Sequence, residues 1–250
     1  MRPRPRHTAR VGYLLVVAIV AGIGLILWYS YYRKQQRREG LASFAAQYQM
    51  EYSRQDPFGL LDHDFRLLRM GDGRGCENVL SGSWQAMPVR EADYWYYTES
   101  KDSNGRTSKS YKYFSVVIAD LDGMLPYVSI QKESLFTKLA DHLGFHDLDF
   151  ESDDFNREFQ VKAEDRQFAY KLIDARMIRW LLSTGGTFGF ECRGENLLVY
   201  CHRLKPTALV PLFGTAKAFH DHVPSLVWDD YGTKPETIPV PPEPEGRSSS

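Results

Sequence analysis

At 250 residues, with 43% hydrophobic and 14% aromatic side chains, the chain is long enough for a membrane anchor plus one ordinary domain, and its composition excludes a wholly disordered protein. The formal net charge of −1 hides an asymmetry: beyond residue 40 there are 23 Lys and Arg against 31 Asp and Glu, a net of about −8. An acidic body repels phosphate backbones, which excludes non-specific nucleic-acid binding by the domain.

Residues 1–10 are a basic tail, and from 11 to 32 no charged residue occurs. As a helix that run measures about 33 Å at 1.5 Å per residue, against a bilayer hydrocarbon core of about 30 Å. Tyr13 lies near one end, Trp28, Tyr29, Tyr31 and Tyr32 near the other, and Arg10, Arg33 and Lys34 stand just outside, the pattern of interfacial anchors. A transmembrane helix over 11–32 is expected. A cleaved signal peptide fits less well, because the run is long for that purpose and ends in bulky aromatics instead of small residues.

Residues 33–52 read as a basic juxtamembrane helix. Arg33, Lys34, Arg37 and Arg38 are expected to meet anionic head groups. Leu41, Phe44, Ala45 and Tyr48 follow at spacings of three and four, an amphipathic stripe over 40–50, and Asp56-Pro57 breaks the helix. Four arginines precede the anchor and four basic residues follow it, so charge does not set the orientation. The three cysteines, Cys76, Cys192 and Cys201, are an odd number, and reduced thiols suit a domain in the cytoplasm. A domain on the outer side of the membrane is the alternative.

Residues 53–232 read as one soluble α+β domain, an antiparallel sheet of two long hairpins packed against two or three helices. Strands are expected over 78–84, 88–98 and 110–120, the last two joined through Asn104-Gly105, a pair suited to positive φ. In 94–97 the run Tyr-Trp-Tyr-Tyr must alternate faces, which puts half of it in the core and half on the sheet surface. A helix over 134–144 is capped by Ser134 and Gly144. A strand follows over 157–163, then one long helix over 165–182 with Phe168, Leu172, Ile178 and Leu182 on its buried side, ended by Gly185-Gly186. Residues 187–203 read as a second hairpin turning at 193–196. Cys192 and Cys201 then sit about 13 Å apart on one face, too far for a disulfide. A last helix begins after Pro206, and 233–250 is a Pro- and Ser-rich tail expected to be disordered.

Candidate chemistry is sparse. Asp147, Asp149, Glu151, Asp153 and Glu158 fall at positions 1, 3, 5, 7 and 12 of a calcium-loop spacing, but Ser152 stands where that loop needs glycine. His220 and His222 flank Asp221 near the end of a helix, where residues two apart point in different directions. His63 lies between Asp62 and Asp64, whose charges favour its protonated form. No nucleophile elbow, phosphate loop, dinucleotide fingerprint or paired Cys-x-x-Cys occurs, so no catalytic residue and no cofactor are expected.

The stretches ENVLSGSWQAMPVREADYWYYTES, YKYFSVVIADL and DLDFESDDFNREFQVKAEDRQFAYKLIDARMIRWLL, with the anchor followed by LASFAAQY, resemble an uncharacterised family of actinobacterial single-pass membrane proteins, over residues 11 to about 205. The resemblance implies an anchor, a basic stop and one cytoplasmic domain, and carries over no catalytic residue. A tethered interaction or ligand-binding domain is therefore the leading expectation. A membrane-bound hydrolase or metal-dependent enzyme, its site formed only in the fold, is the rival.

Overall fold

The computed structural model describes residues 7–103, 105–132 and 146–232, without the side chains of 7–16, 146 and 147. The expected helix over 134–144, Asn104 and the tail 233–250 lie outside the described residues.

Helix α1 (His7–Gln47) runs for 41 residues without a break, about 60 Å. The expected anchor and juxtamembrane helix are thus one rod. Among the described residues no helix is long and apolar enough to cross a membrane. Part of the apolar run, 11–16, has no described side chains, so 11–32 is seen as helix and not as a span. The stripe over 40–50 packs as its spacing predicts, with Leu41, Phe44 and Ala45 buried. The helix ends before Asp56-Pro57, because Gln49 turns at φ 56° and strand β1 (Glu51–Gln55) begins directly.

Strands β2 (Gly73–Trp84), β3 (Met87–Lys101) and β4 (Thr107–Gln131) form an antiparallel meander, each longer than the sequence predicts. β5 (His146–Leu148) and β6 (Gln160–Ala163) extend the sheet, giving the order β1-β2-β3-β4-β6-β5. Strand β7 (Gly189–His202) pairs with β4 along its length, from Phe114 opposite His202 to Ile130 opposite Phe190. The expected second hairpin over 187–203 is therefore wrong. Gly194, at φ 57°, makes a local irregularity where β4 is also out of register, and the strand passes straight through it. Cys192 lies opposite Val128 and Cys201 opposite Ser115, and all three thiols are free.

The expected strand over 157–163 begins later, because Ser152 accepts from the Phe155 N–H and starts helix α2 (Asp153–Glu158). The expected long helix over 165–182 is two. The Asp174 carboxylate caps the Met177 N–H at 2.8 Å and splits α3 (Arg166–Leu172) from α4 (Ala175–Ser183). The break resets the helical phase, so Met177 and Leu181 are buried where Ile178 and Leu182 were expected. Helices α5 (Val210–His222) and α6 (Ser225–Tyr231) complete the chain.

The sheet has a core on each face. On one, the end of α1 and helices α2–α6 cover Val89, Val117, Val199 and their neighbours. On the other, the segment 60–70 with its two short 3-10 turns closes over Tyr94, Tyr96, Phe114 and Tyr200. Glu191 fastens that cover, accepting from the N–H groups of Arg66 at 2.6 Å and Leu67 at 3.0 Å and from the Tyr127 hydroxyl at 3.1 Å.

Candidate functional site

Along one face of β3 the side chains at 89, 91, 93, 95 and 97 change character in order, from Val89 in the core through buried Glu91 and Asp93 to half-exposed Trp95 and Tyr97. Strand β4 keeps step, with Val117 opposite Glu91, Ser115 opposite Asp93, Tyr113 opposite Trp95 and Tyr111 opposite Tyr97. Helix α1 crosses this gradient with matching residues. Its Leu41, Phe44 and Ala45 meet the apolar end, Arg37 the acidic belt, and Arg33 and Lys34 the aromatic end.

Arg37 is the latch. Its Nε donates to Asp93 Oδ2 at 2.6 Å, a second nitrogen donates to Asp93 Oδ1, and a third donates to the Leu204 carbonyl at 2.7 Å. Burial works to lower its pKa, but the hydrogen bond and charge of Asp93 outweigh that and hold it above its ordinary value. Asn78 donates to Asp93 Oδ2 at 2.9 Å and accepts from the Tyr52 hydroxyl at 2.9 Å. Glu91, two residues away and fully buried, has neither carboxylate oxygen within hydrogen-bond geometry. Burial, and then the charge of Asp93, push its pKa well up, which favours the neutral carboxyl.

The aromatic end is a shelf. Trp95, Tyr97, Tyr111 and Tyr113 lie with ring centroids 5.3–6.4 Å apart. The Trp95 and Tyr97 rings lie 14° from parallel over glycines of β2, Gly75 opposite Trp95 and Gly73 opposite Tyr97, and Tyr111 is tilted to them by 49° and 51°. A Cβ on Gly75 would come 2.5 Å from the Trp95 ring, and one on Gly73 would strike Tyr97. The Arg203 guanidinium stands over Tyr113 at 4.4 Å, and Lys109 over Tyr97 at 4.1 Å.

Between this shelf and α1 lies a groove of about 1110 Å³. Its walls carry Arg33, Lys34 and Arg38 from the helix and Arg203 and Lys205 from the segment after β7, with Glu77 on the floor. Among the described residues those five cations have no carboxylate partner. The groove is thus a basic recess on an acidic domain.

The sequence-level candidates do not gather. Asp149, Glu151 and Asp153 are exposed. Asp147 lies on β5 with its side chain outside the described ones, and Glu158 pairs with Lys132 at 3.2 Å. His220 bridges Asp122 and Asp221 at 3.2 and 3.3 Å, whereas His222 bonds the Ala218 carbonyl and stacks on Trp180. No three His, Cys, Asp or Glu side chains cluster among the described residues as a cation site requires. His63 reverses its expectation: burial first, then Arg90, lower its pKa, outweighing the neighbouring acids. Of the cations expected at head groups, Arg37 turns inward to Asp93. The groove's far wall, Arg203 and Lys205, was missed, and only the Gly-x-Gly at 73–75 against Trp-x-Tyr at 95–97 could have signalled the shelf.

No protein-family model and no curated protein matches the chain. Among solved structures it is similar to the crystal structure of the mycobacterial trehalose monomycolate transport factor A, TtfA. The identity is 15% and the TM-score 0.56, over 75% of this chain and 92% of that one. At this identity the likeness is one of fold, and the neighbour is an actinobacterial protein.

Proposed function

We propose that the chain is a non-enzymatic, membrane-tethered accessory domain that binds lipid at the bilayer surface, and that it belongs to an uncharacterised actinobacterial family. One observation carries this reading. From 17 to 32 helix α1 exposes apolar side chains around its circumference, Ile19, Val20, Leu25, Ile26, Leu27 and Trp28 each more than half exposed, and it then continues unbroken into the domain. A helix apolar on every side finds its solvent in lipid or protein. With 11–16 added, the uncharged run reaches the length of a span, and Arg33, Lys34 and Arg38 stand at the level of anionic head groups. The fold's likeness to a lipid-transport factor favours an accessory role around lipid. The domain lies in the cytoplasm, where three free thiols stay reduced.

Fractionation of cells expressing the full chain tests the anchor. The protein should stay in the pellet through alkaline carbonate and come out only with detergent. Release by carbonate would refute the tether, and a reporter fused after Ser250 that is active only outside the cell would refute the orientation.

A further inference from the structure

We infer that the groove between α1 and the aromatic shelf is a discrete site for the head group of one phosphate-bearing anionic lipid, resting on the tethered reading for its source. Four features converge. The first is charge: among the described residues, five cations without carboxylate partners line the recess against one acid, Glu77, because Arg37 and Asp93 neutralise one another. On a domain of net charge about −8 such a concentration attracts an anion that the rest of the surface repels. The second is convergence. Arg33, Lys34 and Arg38 come from the helix, Arg203 and Lys205 from the opposite wall, so a phosphate between them accepts from two sides, as charge-assisted hydrogen bonding favours.

The third feature is the floor. Trp95, Tyr111 and Tyr113 give an aromatic, amphipathic surface for the uncharged part of a head group, and Arg203 is held in place by its position over Tyr113. The fourth is depth. Arg37, at the bottom of the groove, is five residues past Tyr32, about 7.5 Å along the helix. The polar zone on each side of a bilayer is about 5–8 Å thick. A tether ending at Tyr32 therefore sets the groove's mouth among the head groups, within reach of a lipid that has not left the membrane.

The test uses the full chain in neutral detergent micelles, with bound lipids counted by native mass spectrometry. Dioleoyl phosphatidylglycerol should be retained as a single copy at about tenfold lower concentration than dioleoyl phosphatidylcholine. Arg203→Gln with Lys205→Gln, both exposed and away from the core, should abolish that preference while leaving the circular dichroism spectrum and melting temperature unchanged. Trp95→Leu should weaken retention of the same lipid several-fold. Inorganic phosphate at millimolar concentration should fail to displace the lipid. Equal retention of the two lipids, or a preference that survives the double variant, would overturn the site. Displacement by inorganic phosphate would overturn the lipid as its source. Failure of the carbonate test with the micelle preference intact would remove the tether and leave the anion site standing, whereas the opposite pair of results would remove the site alone.

Discussion

Arg37 of helix α1 and Asp93 of strand β3, 56 positions apart in sequence, form a two-pronged ion pair in which the Asp93 side chain is only 2% exposed. The pair ties the rod to the sheet at the point where the core gives way to the groove. Arg37→Met leaves Asp93 buried without a counter-ion and is expected to cost about 3–5 kcal/mol. Adding Asp93→Asn removes the orphaned charge and should recover more than half of that loss. A double-mutant cycle from denaturant melts in detergent checks both, and an additive double variant would show that the pair does not act as a unit.

Gly75 sets the shelf. Gly75→Val drives a side chain into the Trp95 ring, which half-exposure leaves free to swing outward. The expected outcome is a modest loss of stability, about 1–2 kcal/mol, with a clear shift of tryptophan emission to the red. An unchanged spectrum would mean that the ring does not rest on this glycine.

Two buried acids make the fold respond to pH. Burial raises Glu191 to about 7 even though two backbone N–H groups and the Tyr127 hydroxyl oppose the shift, and burial, then the charge of Asp93, raise Glu91 well above its ordinary value against the opposing charge of Arg37. Each folded pKa lies above the unfolded value, so the stabilisation is fully present below about pH 4.5 and is lost as pH rises. For Glu191 the loss spans about pH 4.5 to 7 and amounts to on the order of 3 kcal/mol. Stability measured across that window should fall, and the slope should be shallower in Glu191→Gln. Identical slopes would assign the pH response elsewhere.

The three thiols should be slow to react in the folded chain. Burial raises all of them, Cys201 to about 12, with Cys192 and Cys76 higher. A maleimide should reach full labelling only after denaturation in sodium dodecyl sulfate. Rapid labelling of native Cys192 would contradict its place opposite Val128.

What was readable in the sequence was periodic. The stripe of Leu41, Phe44 and Ala45 imposes one buried side whatever the partner, and it was foreseen, as was the alternation of faces along 94–97, although β3 and β4 are covered on both faces through their centres. The errors fell where a single polar or flexible residue outweighed the pattern. Asp174 cut one apparent helix into two, and Gly194 imitated a hairpin turn inside a strand that β4 holds straight. The groove was half visible. Its helical wall is a run of neighbouring cations, but Arg203 and Lys205 join them only because β7 returns along β4, a pairing between segments about 90 residues apart that leaves no local trace.

Because α1 runs unbroken from its apolar half to its contacts with the sheet, the described residues hold no swivel between the two. Any turn of the rod about its long axis carries the recess round by the same angle. One residue inserted between Tyr32 and Arg37 would leave both halves folded but point the recess about 100° away from its native bearing, so the direction the recess faces relative to the apolar half is written into the count of residues in a single helix.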